Sequence, residues 1–267
     1  MAESLSPLGA YVRQHEPERF FTALFAPPEK RDAVFALAGL HHELGRAREV
    51  ASNPMIAAIR LQWWRDAIEE AAAGKPARKH EVAEPLHAAI TAGRLDPADL
   101  LAMADAREAE LEEEGIPTAS AFAAYLRGAH GGLAVATGRL LGASGPDLLA
   151  LQEYGAAQGL AALLRNLGSL AARGRCLLPL DLLAEAGLTL EEAMADPAAL
   201  EPVARRLAGD ALARLPAPRR WPRPLLAAAL PAIAARRDLR RLASGSPLPP
   251  GAGSRLPMLW GWLLARA

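Results

Sequence analysis

The chain has 267 residues, 51% of them hydrophobic and 22% charged, and its 30 basic residues balance its 30 acidic ones. That length supports a sizeable core in one or two domains, and the zero net charge gives no electrostatic reason to expect a nucleic-acid partner. Alanine and leucine far outnumber valine, isoleucine and threonine, which favours helix over sheet throughout. The opening stretch MAESLSPLGAYVRQHEPERF carries an early acid and no apolar segment, so it does not read as a signal peptide. Ser52-Asn53-Pro54 sets a capping residue before a first-turn proline and predicts a helix to Ala73, stopped by Gly74. Asp96-Pro97 repeats the device for a helix over about 97–114, ending at Gly115. Thr118 or Ser120 can cap a third helix to about Leu141, and Pro146-Asp147 opens a long one that carries residues 154 onward. Proline breaks follow near 179, 197 and 216 to 224. The longest apolar run, Leu225 to Ala235, is interrupted by Pro231 and falls well short of the roughly 20 residues needed to span a bilayer. Residues 244–257 read as a loop before a short Trp-rich helix. No repeat of fixed period is visible, and the expectation is one all-α domain over 1–267.

Several residue groups invite chemistry. His41-His42-Glu43 begins like a zinc-protease helix, but Arg46 stands where the second histidine of H-E-x-x-H belongs. His42 is then expected to be a polar, hydrogen-bonded residue on a helix face leading to Glu49. Cys176, the lone cysteine, rules out an internal disulfide and fits a reducing compartment, as a small apolar residue in a turn. Trp63 and Trp64 point about 100° apart on a helix, so one belongs to the core and the other is partly exposed. Acids at 105, 108, 110, 112, 113 and 114 surround Arg107 and read as a solvated face. Residues 203 to 241 are rich in arginine. That stretch reads equally as ordinary helix surface or as a basic face for anionic lipid or an acidic partner.

Residues 154 to 183, YGAAQGLAALLRNLGSLAARGRCLLPLDLL, carry a more specific signal. The segment resembles the second motif region of the squalene/phytoene synthase family, Q-L-x-N-I-L-R-D-V-G-E-D-x-x-R-G-R-x-Y-L-P. Leu164-Arg165, Gly168, Arg173-Gly174-Arg175 and Leu178-Pro179 match, while Asn166, Ser169 and Leu170 stand at the three acidic positions. Residues 31 to 50 resemble the family helix that ends in D-D-x-x-D. There the chain has Gly45, Arg46, Ala47, Arg48 and Glu49, so one carboxylate remains. Arg19-Phe20-Phe21, Trp63 or Trp64 with Lys79-His80-Glu81-Val82, and the stretch around Tyr125 resemble further family segments. The resemblance implies an isoprenoid-synthase-type helical bundle around a central cavity. One branch is the better match, through Leu24 to Pro28, His42-Glu43-Leu44, Arg46, Arg48-Glu49, Ser52, Pro54-Met55 and Ile59 to Ala67. It lacks the synthase aspartates and includes a mitochondrial complex I assembly factor and its alphaproteobacterial relatives.

Family synthases hold a prenyl diphosphate through magnesium, a hard cation that takes carboxylate oxygens and neutralises the leaving diphosphate. On the implied positions Gly45, Arg46, Glu49, Asn166, Ser169 and Leu170 only Glu49 is an anion, so neither a catalytic residue nor a metal ligand is assigned. The candidate cavity residues are Arg46, Arg48, Glu49, Tyr125, Arg165 and Asn166. Arg46, Arg48 and Arg165 could grip a phosphate directly, or Arg46 and Arg48 could pair with Glu43 and Glu49. The resemblance thus implies a non-catalytic assembly or maturation factor for a respiratory complex, whose partner is a subunit or an assembly intermediate. It would need no cofactor and bind no nucleic acid. It would be cytoplasmic, with peripheral contact at the inner face of the membrane, and its cavity would suit a prenyl or quinone-like lipid. The alternative is a prenyl transferase with a rebuilt, magnesium-dependent site.

Overall fold

Proline at a helix start is the recurring device of this chain, because the first turn has no use for the missing N–H and gains from the fixed φ. The computed structural model describes residues 5–51, 53–246, 248 and 255–267. Helix α1 spans Pro7–His15, with the Ser6 hydroxyl accepting from Gly9 N–H, and α2 spans Pro17–Ala23. Helix α3 covers Pro28–Glu49 and α4 covers Pro54–Ala72, the latter capped by Asn53, whose side-chain oxygen accepts from Ile56 N–H. Helix α5 is Ala83–Thr91 and α6 is Pro97–Ala106, capped by Asp96. Helix α7, Ala119–Tyr125, is capped by Thr118 and runs through a π-turn at Leu126–Gly131 into α8, Gly132–Leu141. The second half comprises α9 Pro146–Arg165, α10 Leu167–Ala171, α11 Leu180–Glu185, α12 Leu190–Ala195 and α13 Glu201–Arg214. It ends with α14 Leu226–Ala229, α15 Pro231–Ala243 and α16 Arg255–Leu263. Among the described residues the only β pairing is an isolated bridge between Arg220 and Arg266.

Two of the expected helices are shorter than their sequence pattern. The element opened by Pro97 ends at Ala106 and tightens into a 3₁₀ turn over Arg107–Glu110. This turn swings Arg107 and Glu110 into the interior, so that part of the acidic run is buried and not a solvated face. The long helix from Pro146 breaks at Asn166, whose φ of −102° and ψ of 12° lie outside the helical range. Asn166, Ser169 and Leu170 therefore do not share one continuous helix face. The loop expected over 244–257 closes α15 as a turn at Ser244-Gly245, and α16 begins at Arg255. Its residues 247 and 249–254 lie outside the described residues, as does Ser52.

The core is organised around α3 and α9. Phe35, Leu37, Leu40 and Leu44 of α3 are essentially fully buried, as are Leu151, Tyr154 and Leu160 of α9. α9 packs on the π-turn, α8 and α15, and α3 packs on α1, α5 and α8. Glycine permits the tightest crossing: a Cβ on Gly155 would lie 2.5 Å from the His130 carbonyl oxygen, and one on Gly159 only 2.3 Å from the His130 ring. The π-turn and α9 are thereby held close enough for His130 to face the space between α3 and α9. Trp64 is core and Trp63 half-buried, their rings edge-to-face at 4.9 Å. Cys176 is buried, and burial pushes its thiol pKa up.

Candidate functional site

The C-terminal half of α3 presents His41, Gly45 and Glu49 along one face at i, i+4 and i+8. The C-terminal half of α9 faces it with Gln158, Gly159, Ala162 and Arg165, followed by Asn166 at the break. Between them lies a cleft of two joined lobes that share Gly45, Glu49, Arg107, His130, Gly159, Ala162 and Asn166. The outer lobe, about 730 Å³, is walled also by Glu16 and Arg19 from the α1–α2 corner and by Asp238 of α15. The inner lobe, about 300 Å³, reaches Glu110, Tyr125, Ser169, Leu170, Arg173 and Arg175.

A buried polar network forms the floor. Glu110 accepts from Arg107 Nη1 at 2.6 Å, from the Tyr125 hydroxyl at 2.9 Å and from Arg175 Nη2 at 3.0 Å. Burial alone would raise the Glu110 pKa, but the Arg107 and Arg175 charges outweigh it and hold the carboxyl below its ordinary value. The Tyr125 hydroxyl is pushed up, first by burial and then by the Glu110 charge. The other face of Arg107 donates from Nη2 to His41 Nε2 at 3.0 Å, and His130 Nδ1 lies 3.1 Å from the same His41 nitrogen. Arginine can only donate, so His41 Nε2 accepts, and the neutral His41 carries its proton on Nδ1. The His41 Nε2 lone pair is engaged by Arg107, and the direction of the His130 contact follows the His130 tautomer. Burial is the main reason both imidazoles sit well below their ordinary pKa, with Arg19 and Arg107 adding to it.

The rim is an internally paired set of charges. His42 Nδ1 lies 3.3 Å from Glu16, which also pairs with Arg19 at 3.2 Å; these contacts outweigh burial and lower the Glu16 pKa. Arg46 donates to Glu43 at 3.1 Å, and Glu43 also accepts from the Tyr11 hydroxyl. Glu49 pairs with Arg173 at 3.6 Å, Arg165 pairs with Asp238, and the Asn166 amide donates to the Ala162 carbonyl at 2.9 Å. Of the expected cavity residues, Arg46, Glu49, Tyr125, Arg165 and Asn166 line the cleft. Arg48 does not: its guanidinium donates to the Ala51 carbonyl at 3.4 Å. Sequence reasoning passed over His130, Arg107, Glu110, Arg175 and Asp238. The available signals were weak: a lone arginine three residues before an acid in an otherwise acidic run, and a histidine beside Gly131-Gly132.

The two motif regions do meet, since Gly45, Glu49, Asn166, Ser169 and Leu170 all line the inner lobe. Their donors do not fit magnesium of the synthase type. Glu49 is the single carboxylate at the six motif positions and lies 3.6 Å from Arg173, the floor holds the Arg107 and Arg175 guanidiniums, and magnesium ions that bridge a diphosphate need carboxylate oxygens these positions lack. Among the described residues no three His, Cys, Asp or Glu side chains converge as a metal set. Four buried atoms beside the outer lobe, His41 Nδ1, His42 Nε2, Arg107 Nε and Arg165 Nε, have no hydrogen-bond partner among the described residues.

An all-helical bundle enclosing a polar cleft, with two motif-bearing helices facing across it, defines a protein of the isoprenoid-synthase-type fold. More particularly, the chain belongs to the squalene/phytoene synthase family, whose profile matches residues 12–254. A dehydrosqualene synthase structure superposes with a TM-score of 0.69 at 14% identity, covering 97% of this chain and 93% of that one. A squalene synthase from Alicyclobacillus acidocaldarius superposes with a TM-score of 0.67 at 16% identity, covering 90% and 94%. Those likenesses speak to fold. By sequence the chain is 27% identical over 184 residues to human "NADH dehydrogenase (ubiquinone) complex I, assembly factor 6", and 26% identical to its bovine counterpart. The match takes in 68% of this chain and 54% of each relative, so the chain spans about half the length of the relatives it matches.

Proposed function

We propose that this chain is a family member that has set aside the synthase chemistry and serves as an assembly or maturation factor for a respiratory complex. The observation that carries the reading is the state of the cleft. Glu49, the one acid at the motif positions, faces Arg173 at 3.6 Å, and the floor between the motif helices is an Arg107–Glu110–Arg175 cluster. A site so organised offers guanidiniums where the synthase reaction needs metal-bound carboxylates. The complex I assembly factors among its relatives support the respiratory role, and a subunit or an assembly intermediate is the partner this reading expects. The cleft is retained as a pocket for a prenyl or quinone-like molecule, and the protein works from the cytoplasmic side of the membrane. No described helix is long and apolar enough to cross a bilayer.

Two measurements test this. Purified protein is assayed for magnesium-dependent release of diphosphate from farnesyl and geranylgeranyl diphosphate beside a known synthase. No release above background is expected, and steady release abolished by Glu49→Ala would overturn the non-catalytic reading in favour of the transferase. A strain lacking the chain is expected to lose assembled NADH:quinone oxidoreductase activity. Unchanged activity would overturn the assembly role.

A further inference from the structure

Helix α16 is amphipathic in an unusual sense, because its outward face is the apolar one. Met258 and Gly261 turn inward, and a Cβ on Gly261 would lie 2.4 Å from the Ile233 side chain, so this face is seated on α15. Trp262 packs sideways on Phe25 with ring centroids 5.5 Å apart. The remaining face presents Leu256, Leu259, Trp260 and Leu263, continued by Leu264, at helical spacing. Trp260 is 64% exposed and Leu263 55%. Large apolar side chains are normally scattered singly on a surface, and a contiguous stripe containing tryptophan marks an interaction site.

Charge decides what covers the stripe. Between Leu215 and Ala267 the sequence contains one acid, Asp238. It is 2% exposed and already paired with Arg165 and Arg237. Exposed arginines stand beside the stripe. The segment Arg219–Trp221 hydrogen-bonds to Ala265 and Ala267, which places the exposed Arg220 and Arg266 in one bridge. The Arg223 guanidinium lies 5.3 Å over the Trp262 ring. A tryptophan- and leucine-rich face rimmed by Arg220, Arg223 and Arg266, none of which has an ion-pair partner among the described residues, matches the chemistry of an interfacial helix that lies in the headgroup plane of an anionic bilayer.

We propose that α16, with Arg220, Arg223 and Arg266, forms a surface that docks this protein on an anionic lipid bilayer. Apolar side chains enter the acyl boundary while the arginines meet lipid phosphates. The surface requires neither the assembly role nor a cleft ligand, so either reading can fail without the other.

The test is co-sedimentation of the full chain with vesicles of equal phosphatidylglycerol and phosphatidylcholine, beside vesicles of phosphatidylcholine alone. Binding to the anionic vesicles is expected, with a blue shift of tryptophan emission that is lost in Trp260→Phe. The double variant Trp260→Ser/Leu263→Ser should weaken binding by at least about tenfold, because two inserted side chains are removed. Arg220→Glu with Arg223→Glu should weaken it on anionic vesicles and make the residual binding insensitive to salt. All these positions are exposed, so an unchanged thermal melt shows that each variant is folded. Three results overturn the proposal: no sedimentation, equal binding of the wild type to neutral vesicles, or undiminished binding by the Trp260→Ser/Leu263→Ser variant. A dimer dissociated by Leu263→Ser in the absence of lipid also overturns it, by assigning the face to a second copy of the chain.

Discussion

Replacing Glu110 by alanine removes the only carboxylate that Arg107 and Arg175 share. Their side chains are 6% and 9% exposed, so water cannot take over the charge they lose. Removing one partner of a buried ion pair costs about 3–5 kcal/mol, and here two guanidiniums and the Tyr125 hydroxyl lose their acceptor together. With an unfolding entropy of about 2.1 cal/mol/K per residue, a chain of 267 residues should lose about 5–9 °C in Tm. Thermal unfolding followed by circular dichroism at neutral pH measures this, with the exposed Glu113→Ala as the control for removing an acid from the same run. The sign of the pH dependence follows from the same contacts. The folded Glu110 pKa lies below the ordinary value of 4.5, so its stabilisation is complete above that pH and is lost as the pH falls through the folded value. The stability gap between wild type and Glu110→Gln should therefore close in acid. A Tm loss no larger than that of Glu113→Ala would refute the account of the floor.

Three further outcomes are expected. His41 and His130 are held neutral in the fold against an ordinary value of 6.5, by burial and by Arg19 and Arg107, with His42 beside His41. Their neutral-state advantage is present above that value and lost as the pH falls below it. Stability should therefore fall as the pH drops from 7.5 to 5.5, by at most about 1.4 kcal/mol per histidine for each unit below 6.5. Urea unfolding of wild type against His41→Gln/His130→Gln reads the difference, and parallel pH profiles would contradict the neutral pair. Gly159→Ala places a methyl 2.3 Å from the His130 ring and should destabilise by about 1–3 kcal/mol; wild-type stability would mean that the π-turn and α9 do not cross so closely. Glu49→Ala breaks only a 3.6 Å ion pair whose partners are 41% and 54% exposed, so its effect on stability should stay below about 0.5 kcal/mol. A loss above 2 kcal/mol in urea unfolding would give Glu49 a structural role that its geometry denies.

Most of the fold was legible because this chain writes its helix starts in local chemistry. Ser6, Asn53, Asp96 and Thr118 each accept from a first-turn N–H, and five of the longer helices open on proline, so these starts depend on neighbours in sequence and not on packing. Helix ends were harder to read. The helix opened by Pro97 reads as continuing to Gly115 because Glu108 to Glu114 are acceptable helix formers. It stops at Ala106 because Arg107 and Glu110 gain more from each other and from Arg175, 65 residues away from Glu110, than from continuing the helix into solvent. Nothing within the acidic run records Arg175 or Tyr125, so the burial of one acid among six has no local signature.

The same limit shaped the reading of the cleft. The resemblance at residues 31 to 50 and 154 to 183 correctly brings two distant segments to one cavity, since Gly45, Glu49, Asn166, Ser169 and Leu170 share the inner lobe. It does not supply the residues from neither motif that complete the walls: His130 on a π-turn, Asp238 on α15, and Glu16 and Arg19 at the α1–α2 corner. These four set the character of the space. Glu16 and Asp238 each neutralise an arginine, and His41 with His130 forms a neutral imidazole pair beside Arg107. Glu16, Asp238 and Glu49 each face an arginine, while Arg107 and Arg175 share the single carboxylate of Glu110, so the floor is left with an excess of positive charge. The electrostatic character of the cleft is thus set largely by Glu16, Arg19, Arg107, Glu110, His130 and Asp238, which lie outside the two motif regions.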